Sequence, residues 1–108
     1  MDDPREIYEQ RDQYQILDVR EPYEWEAGHI EESIHVPLAD VMAGRAQELL
    51  DASRPVLVVC RSGNRSELAA LILQTRGFQA HNLEGGTERW AAAGLPIVAS
   101  DGTPGRVA

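Results

Sequence analysis

The chain contains no lysine; all ten basic residues are arginines. A Schiff-base lysine, a pyridoxal-phosphate enzyme and a lysine-dependent phosphate loop are therefore excluded. Cysteine occurs once, as Cys60. An intramolecular disulfide is impossible, and a cysteine-based zinc cluster would need other ligand types. No apolar run approaches the roughly 18–20 residues of a membrane helix. Basic charge is also scarce: 10 arginines face 18 acids, a net charge of −8. That speaks against nucleic-acid or anionic-membrane partners, both of which want a basic face. Met1 to Gln15 carries five acids and no apolar segment. It reads as neither a secretory nor a mitochondrial signal, so the expected compartment is the cytoplasm.

What is present has the balance of a folded domain, with 108 residues, 43% apolar and 26% charged. One domain is expected over residues 1–99, with the Gly/Pro/polar stretch 100–108 as a loose, flexible tail. The acidity is uneven. Residues 1–52 hold fourteen acids and four arginines, whereas residues 53–108 hold four acids and six arginines. The half containing Cys60 can thus attract an anion locally.

The pattern alternates strand and helix. Gln15 to Val19, Ser33 to Val36, Pro55 to Val59 and Ala80 to Leu83 are the expected short strands. The third is β-branched and apolar throughout, as a strand covered on both faces should be. Pro37 opens an expected helix over Leu38 to Leu50, its missing N–H costing nothing there. Ser66 to Arg76 has helical apolar spacing and ends at Gly77, a cap residue. Thr87 to Ala93 is a last short helix before Gly94 and Pro96. The expected class is α/β, a mainly parallel sheet with helices on both faces.

The strongest chemical signal is Cys60-Arg61-Ser62-Gly63-Asn64-Arg65-Ser66. Cys60 follows a buried strand and precedes a helix, and open α/β sheets build their sites at the carboxyl ends of strands. A short loop entering a helix aims backbone N–H groups and the positive dipole end inward. Gly63 permits the tight curvature, and Arg61 and Arg65 add two guanidinium groups. A free cysteine with pKa about 8.5 is only about 3% ionised at pH 7. Lowering it to about 6.5 ionises roughly three-quarters, for about 2.7 kcal/mol.

These residues belong to a set of separated motifs. In order they are Leu17-Asp18-Val19-Arg20-Glu21, Glu24-Trp25, Gly28-His29-Ile30, Val36-Pro37-Leu38, the Cys60 loop, Leu83-Glu84-Gly85-Gly86, Trp90 and Gly94-Leu95-Pro96. Together they resemble a single-domain rhodanese-like sulfurtransferase from about Ile16 to Val98. The resemblance implies a three-layer rhodanese-like sandwich and transfer of sulfur from thiosulfate through a persulfide on Cys60. It implies a thiol, cyanide or protein acceptor, and no metal or organic cofactor. Arg61, Ser62, Gly63, Asn64 and Arg65 would bind the anionic donor, with Asp18, Arg20 and Ser66 supporting the loop. Two rivals share these features. One is a persulfide carrier or regulatory module with little turnover. The other is a phosphatase or arsenate reductase of the same fold. The phosphatases use Cys-x5-Arg, whereas Arg65 gives Cys-x4-Arg and Ser66 occupies the phosphatase arginine position.

The chain departs from the family pattern at Glu32 and Ser33, which stand where small residues, first a glycine, are usual. The edge strand often found at the amino end of this family is expected to be absent or reduced to Met1-Asp2-Asp3. Among the remaining residues, Arg20 is expected to meet Glu24 in an ordinary rim contact. Trp25 and Trp90 are expected to pack, and His29 to make a structural hydrogen bond. The glycines of Glu84-Gly85-Gly86 are expected to let backbone approach the Cys60 loop.

Overall fold

The computed structural model describes residues 3–108, so the edge strand considered for Met1-Asp2-Asp3 lies largely outside the described residues. Its elements run α1 (Pro4–Glu9), β1 (Gln15–Asp18), α2 (Pro22–Ala27), β2 (Ile34–His35), α3 (Leu38–Met42), β3 (Val56–Val59), α4 (Asn64–Thr75), β4 (Ala80–Asn82) and α5 (Gly86–Ala92). The four strands form one sheet in the order β2-β1-β3-β4, and every pairing is parallel.

Alternation along β1 and β3 divides the apolar side chains between two cores. Leu17, Val56 and Val58 point to one face, joined there by Val41, Ala69, Ala70 and Leu73 of α3 and α4. Ile16, Leu57 and Val59 point to the other, against Ile7 of α1 and Trp90 of α5. Both strands are buried on both faces; β3 is accordingly an unbroken apolar run, whereas β1 carries the buried polar residues Gln15 and Asp18 at its two ends. The expected α/β sandwich is the observed architecture.

The structure departs from the sequence expectation in several places, among them helix α2, which was not expected between the first two strands. The helix expected over Leu38 to Leu50 stops at Met42. Gly44 takes a left-handed φ of 86°, and only a 3-10 turn at Gln47–Leu49 follows. The helix expected from Ser66 begins two residues earlier, at Asn64, because left-handed Gly63 is its N-cap. Helix α1 was not foreseen, although Asp3 accepts a bond from the Arg5 amide at 3.0 Å and Pro4 opens the first turn. Finally, residues 100–108 do not hang free as a tail. Gly105 N donates to Ile97 O at 2.8 Å and Arg106 N to Ala27 O at 2.9 Å. Gly28 makes room for this return: a β-carbon there would lie 2.4 Å from Arg106 O. Its closeness to backbone explains a glycine that local sequence leaves unexplained.

Candidate active site

Because all strands run parallel, their carboxyl ends meet at one edge. Asp18 ends β1, Val59 ends β3 just before Cys60, and Asn82 ends β4. Cys60 is only 1% exposed and packs into the apolar core on one face of the sheet, yet its sulfur meets polar donors. Its Sγ accepts a bond from Gly63 N–H at 3.1 Å and one from the Ser66 hydroxyl at 3.2 Å. Burial pushes the thiol pKa up, but the Ser66 hydroxyl and the amides of Ser66, Gly63 and Ser62 outweigh it. The net direction is below the ordinary cysteine value. The positive end of α4 acts in the same sense.

The loop is held from outside by its carbonyls. Thr87 N donates to Cys60 O at 2.8 Å and Glu88 N to Arg61 O at 3.0 Å. These bonds require α5 to approach closely, and Gly86 permits it: a β-carbon there would lie 2.2 Å from Cys60 O. The backbone approach expected of the Glu84-Gly85-Gly86 glycines is thus present, made by Gly86. With the carbonyls turned outward to α5, loop amides face the sulfur.

Both loop arginines have carboxylate partners. Arg65 makes two bonds to Glu24, Nη1 to Oε1 at 2.6 Å and Nη2 to Oε2 at 2.9 Å. The Arg65 contact holds the Glu24 carboxyl below its usual range, against burial, aided by a backbone bond. Glu24 also accepts from the Glu21 amide at 3.0 Å, within a capping box at the start of α2. Arg61 meets Glu88 at 3.2 Å at an exposed position. Ser62 and Asn64 are exposed beside them.

The expected Arg20–Glu24 rim contact is not what forms. Arg20 and Asp18 are both fully buried and paired, with Nη2 to Oδ2 at 2.8 Å. Arg20 Nη2 also donates to Gly28 O at 2.7 Å. Two residues apart on an extended segment, both side chains turn inward, and Glu24 is left to Arg65. Trp25 is stacked between two histidines, 3.6 Å from the His29 ring and 4.7 Å from the His35 ring. His29 Nδ1 bonds Trp25 O at 2.8 Å and His35 Nε2 bonds Arg20 O at 2.8 Å. His81 sits on β4, at the opposite sheet edge from His35. Trp90 is buried, its Nε1 donating to Pro96 O at 3.0 Å.

Asn82 is a site residue that sequence reasoning missed. Its Nδ2 donates to Gly63 O at 3.0 Å, and its Oδ1 accepts from the Ser66 hydroxyl. Only its position at the carboxyl end of a strand could have signalled it. A cleft of about 480 Å³ is lined by Arg11, Gln15, Glu32, Leu49 and Arg54, among others. It opens at the amino end of β1, away from Cys60.

A cysteine whose sulfur accepts hydrogen bonds from its own loop, at the carboxyl edge of a parallel sheet, is a candidate site for cysteine-dependent group transfer on an α/β fold. The rhodanese-like domain model matches residues 3–93, and the chain belongs to that family. A sulfurtransferase of Allochromatium vinosum is 38% identical over 88 residues, covering 81% of this chain and 80% of its own. The thiosulfate sulfurtransferase GlpE of Vibrio cholerae is 34% identical over 89 residues, covering 82% of each chain. Longer relatives also match. The chain spans 18% of the adenylyltransferase and sulfurtransferase MOCS3 of Drosophila virilis, at 40% identity over 82 residues. Among solved structures, a rhodanese-related protein of Thermoplasma volcanium superposes with a TM-score of 0.81 at 34% identity. It covers 88% of this chain and 93% of its own.

Proposed function

We propose that the protein is a thiosulfate sulfurtransferase that carries sulfur as a persulfide on Cys60. The observation that carries this reading is the paired donation of Gly63 N–H and Ser66 O–H to the Cys60 sulfur. Such donors favour the thiolate, the nucleophilic form. The thiolate attacks the outer sulfur of thiosulfate and forms an S–S bond. The bond to the sulfonate sulfur breaks, and sulfite leaves with the electron pair. The outer sulfur keeps the negative charge, where the loop amides stabilise it. Cyanide or a thiolate then attacks that sulfur, and Cys60 departs as thiolate. Arg61 and Arg65 orient the anionic donor, Ser62 and Asn64 line the opening, and Asp18, Arg20 and Ser66 support the loop. The acceptor is a small thiol, cyanide or a protein thiol. Among the described residues no helix is long and apolar enough to cross a membrane. We place the chemistry in the cytoplasm, where a lone thiol stays reduced.

A second reading has its own support. Arg61 and Arg65 are each bonded to a carboxylate, so the mouth has little free positive charge. That favours a persulfide carrier loaded by a small-molecule or protein persulfide, whose outer sulfur passes to Cys60 as the donor thiolate leaves, over an enzyme that captures thiosulfate from dilute solution.

Intact-mass measurement after incubation with thiosulfate tests the proposal. A gain of about one sulfur atom (~32 Da), removed by cyanide and absent in Cys60→Ala, is the expected result. Equal thiosulfate turnover by wild type and Cys60→Ala would overturn it. A persulfide formed from a small-molecule or protein persulfide donor but not from millimolar thiosulfate would establish the carrier. Faster hydrolysis of an aryl phosphate than thiosulfate turnover would establish a phosphatase.

A further inference from the structure

We propose that Asn82 is a positioning residue for Cys60, offering the single Ser66 hydroxyl proton an alternative acceptor whenever the sulfur is not anionic. Ser66 is fully buried, and its Oγ lies within hydrogen-bond reach of two acceptors. One is Cys60 Sγ at 3.2 Å, the other Asn82 Oδ1. One hydroxyl carries one proton and serves one of them at a time. The orientation of the Asn82 amide is set by its other end. Gly63 O is only an acceptor, so the nitrogen of Asn82 must face it, at 3.0 Å. Oδ1 is therefore turned toward Ser66.

The sulfur decides which acceptor wins. A thiolate is a strong acceptor and draws the hydroxyl to Sγ. A thiol, or an Sγ already bonded to a second sulfur, is a weak acceptor. The hydroxyl then turns to Asn82 instead of leaving a buried proton unbonded. No proton leaves Ser66 at any step. Only the O–H direction changes as charge moves from Sγ to the outer sulfur.

The proposal rests on Cys60 acting as a thiolate, the same ground as the function above, but its test needs no sulfur donor. The pH midpoint of iodoacetamide alkylation is measured for wild type, Asn82→Ala, Ser66→Ala and the double variant. Without Asn82 the thiol form loses the acceptor that relieves Ser66, so the midpoint falls by about half a unit. In the Ser66→Ala background the same substitution leaves the midpoint in place. A shift of equal size with and without Ser66, or no shift in either, overturns the proposal. If Asn82→Ala does not fold, Asn82→Asp keeps the volume. Its stronger acceptor raises the midpoint, and by more with Ser66 present than absent. An equal rise in both backgrounds is charge alone and overturns it. Coupling without any thiosulfate turnover would leave the Asn82 role standing and remove the sulfurtransferase reading.

Discussion

Arg65, in the first turn of α4, faces Glu24 of α2 through two hydrogen bonds of 2.6 and 2.9 Å. The pair ties the helix behind Cys60 to the helix that follows β1. Glu24→Gln is expected to remove about 1–2 kcal/mol of stability, discounted because the Arg65 side chain is 36% exposed. The folded carboxyl titrates below its ordinary 4.5. Its contribution is therefore full above that value and lost as pH falls through the lower, folded value. Urea melts of both proteins across pH 3 to 7 are expected to show a constant gap above about pH 5 that closes in acid. A gap that widens in acid would contradict the pairing.

Gly86 is where α5 meets the loop. An alanine there would press its β-carbon to 2.2 Å from Cys60 O and 2.5 Å from Arg61 O. Both are backbone atoms and cannot swing away. Gly86→Ala is expected to cost about 2–3 kcal/mol and to slow Cys60 alkylation near neutral pH. Gly94 has a similar φ of 78° with nothing within 4 Å. Gly94→Ala is expected to lose only the backbone strain, about 1 kcal/mol, with Cys60 alkylation unchanged.

The buried Asp18–Arg20 pair is expected to fail asymmetrically. Arg20→Leu strands a buried carboxylate and should cost about 3–5 kcal/mol in a urea melt. Removing both charges with Asp18→Leu and Arg20→Leu should recover part of that loss. A double variant no more stable than Arg20→Leu would show that the charges matter individually rather than as a pair.

Glu32 is the one non-glycine among the described residues with left-handed backbone, at φ 76°. Its partner Arg11 is at 3.3 Å in an exposed pair that contributes little. Glu32→Gly is expected to stabilise by about 0.5–1 kcal/mol and raise the melting temperature by a few degrees. A lower melting temperature would show that the Arg11 contact outweighs the strain.

The sequence by itself determined the sheet and the place of Cys60 on it. Val56 to Val59 is apolar on every position because both faces are covered, and that property is visible in a single run of residues. A cysteine directly after such a strand, followed by Gly63 and a helical pattern, locates the loop because neighbours in the chain build it. The tertiary structure decided the partners. Glu24 lies 41 residues from Arg65, and Asn82 lies 16 from Ser66. Which acid meets which arginine depends on how α2, α4 and β4 converge, and no local period encodes that. The docked carboxyl segment escaped for the same reason. Its polar, glycine-rich composition carries no burial signal, and backbone hydrogen bonds to Ile97 and Ala27 hold it.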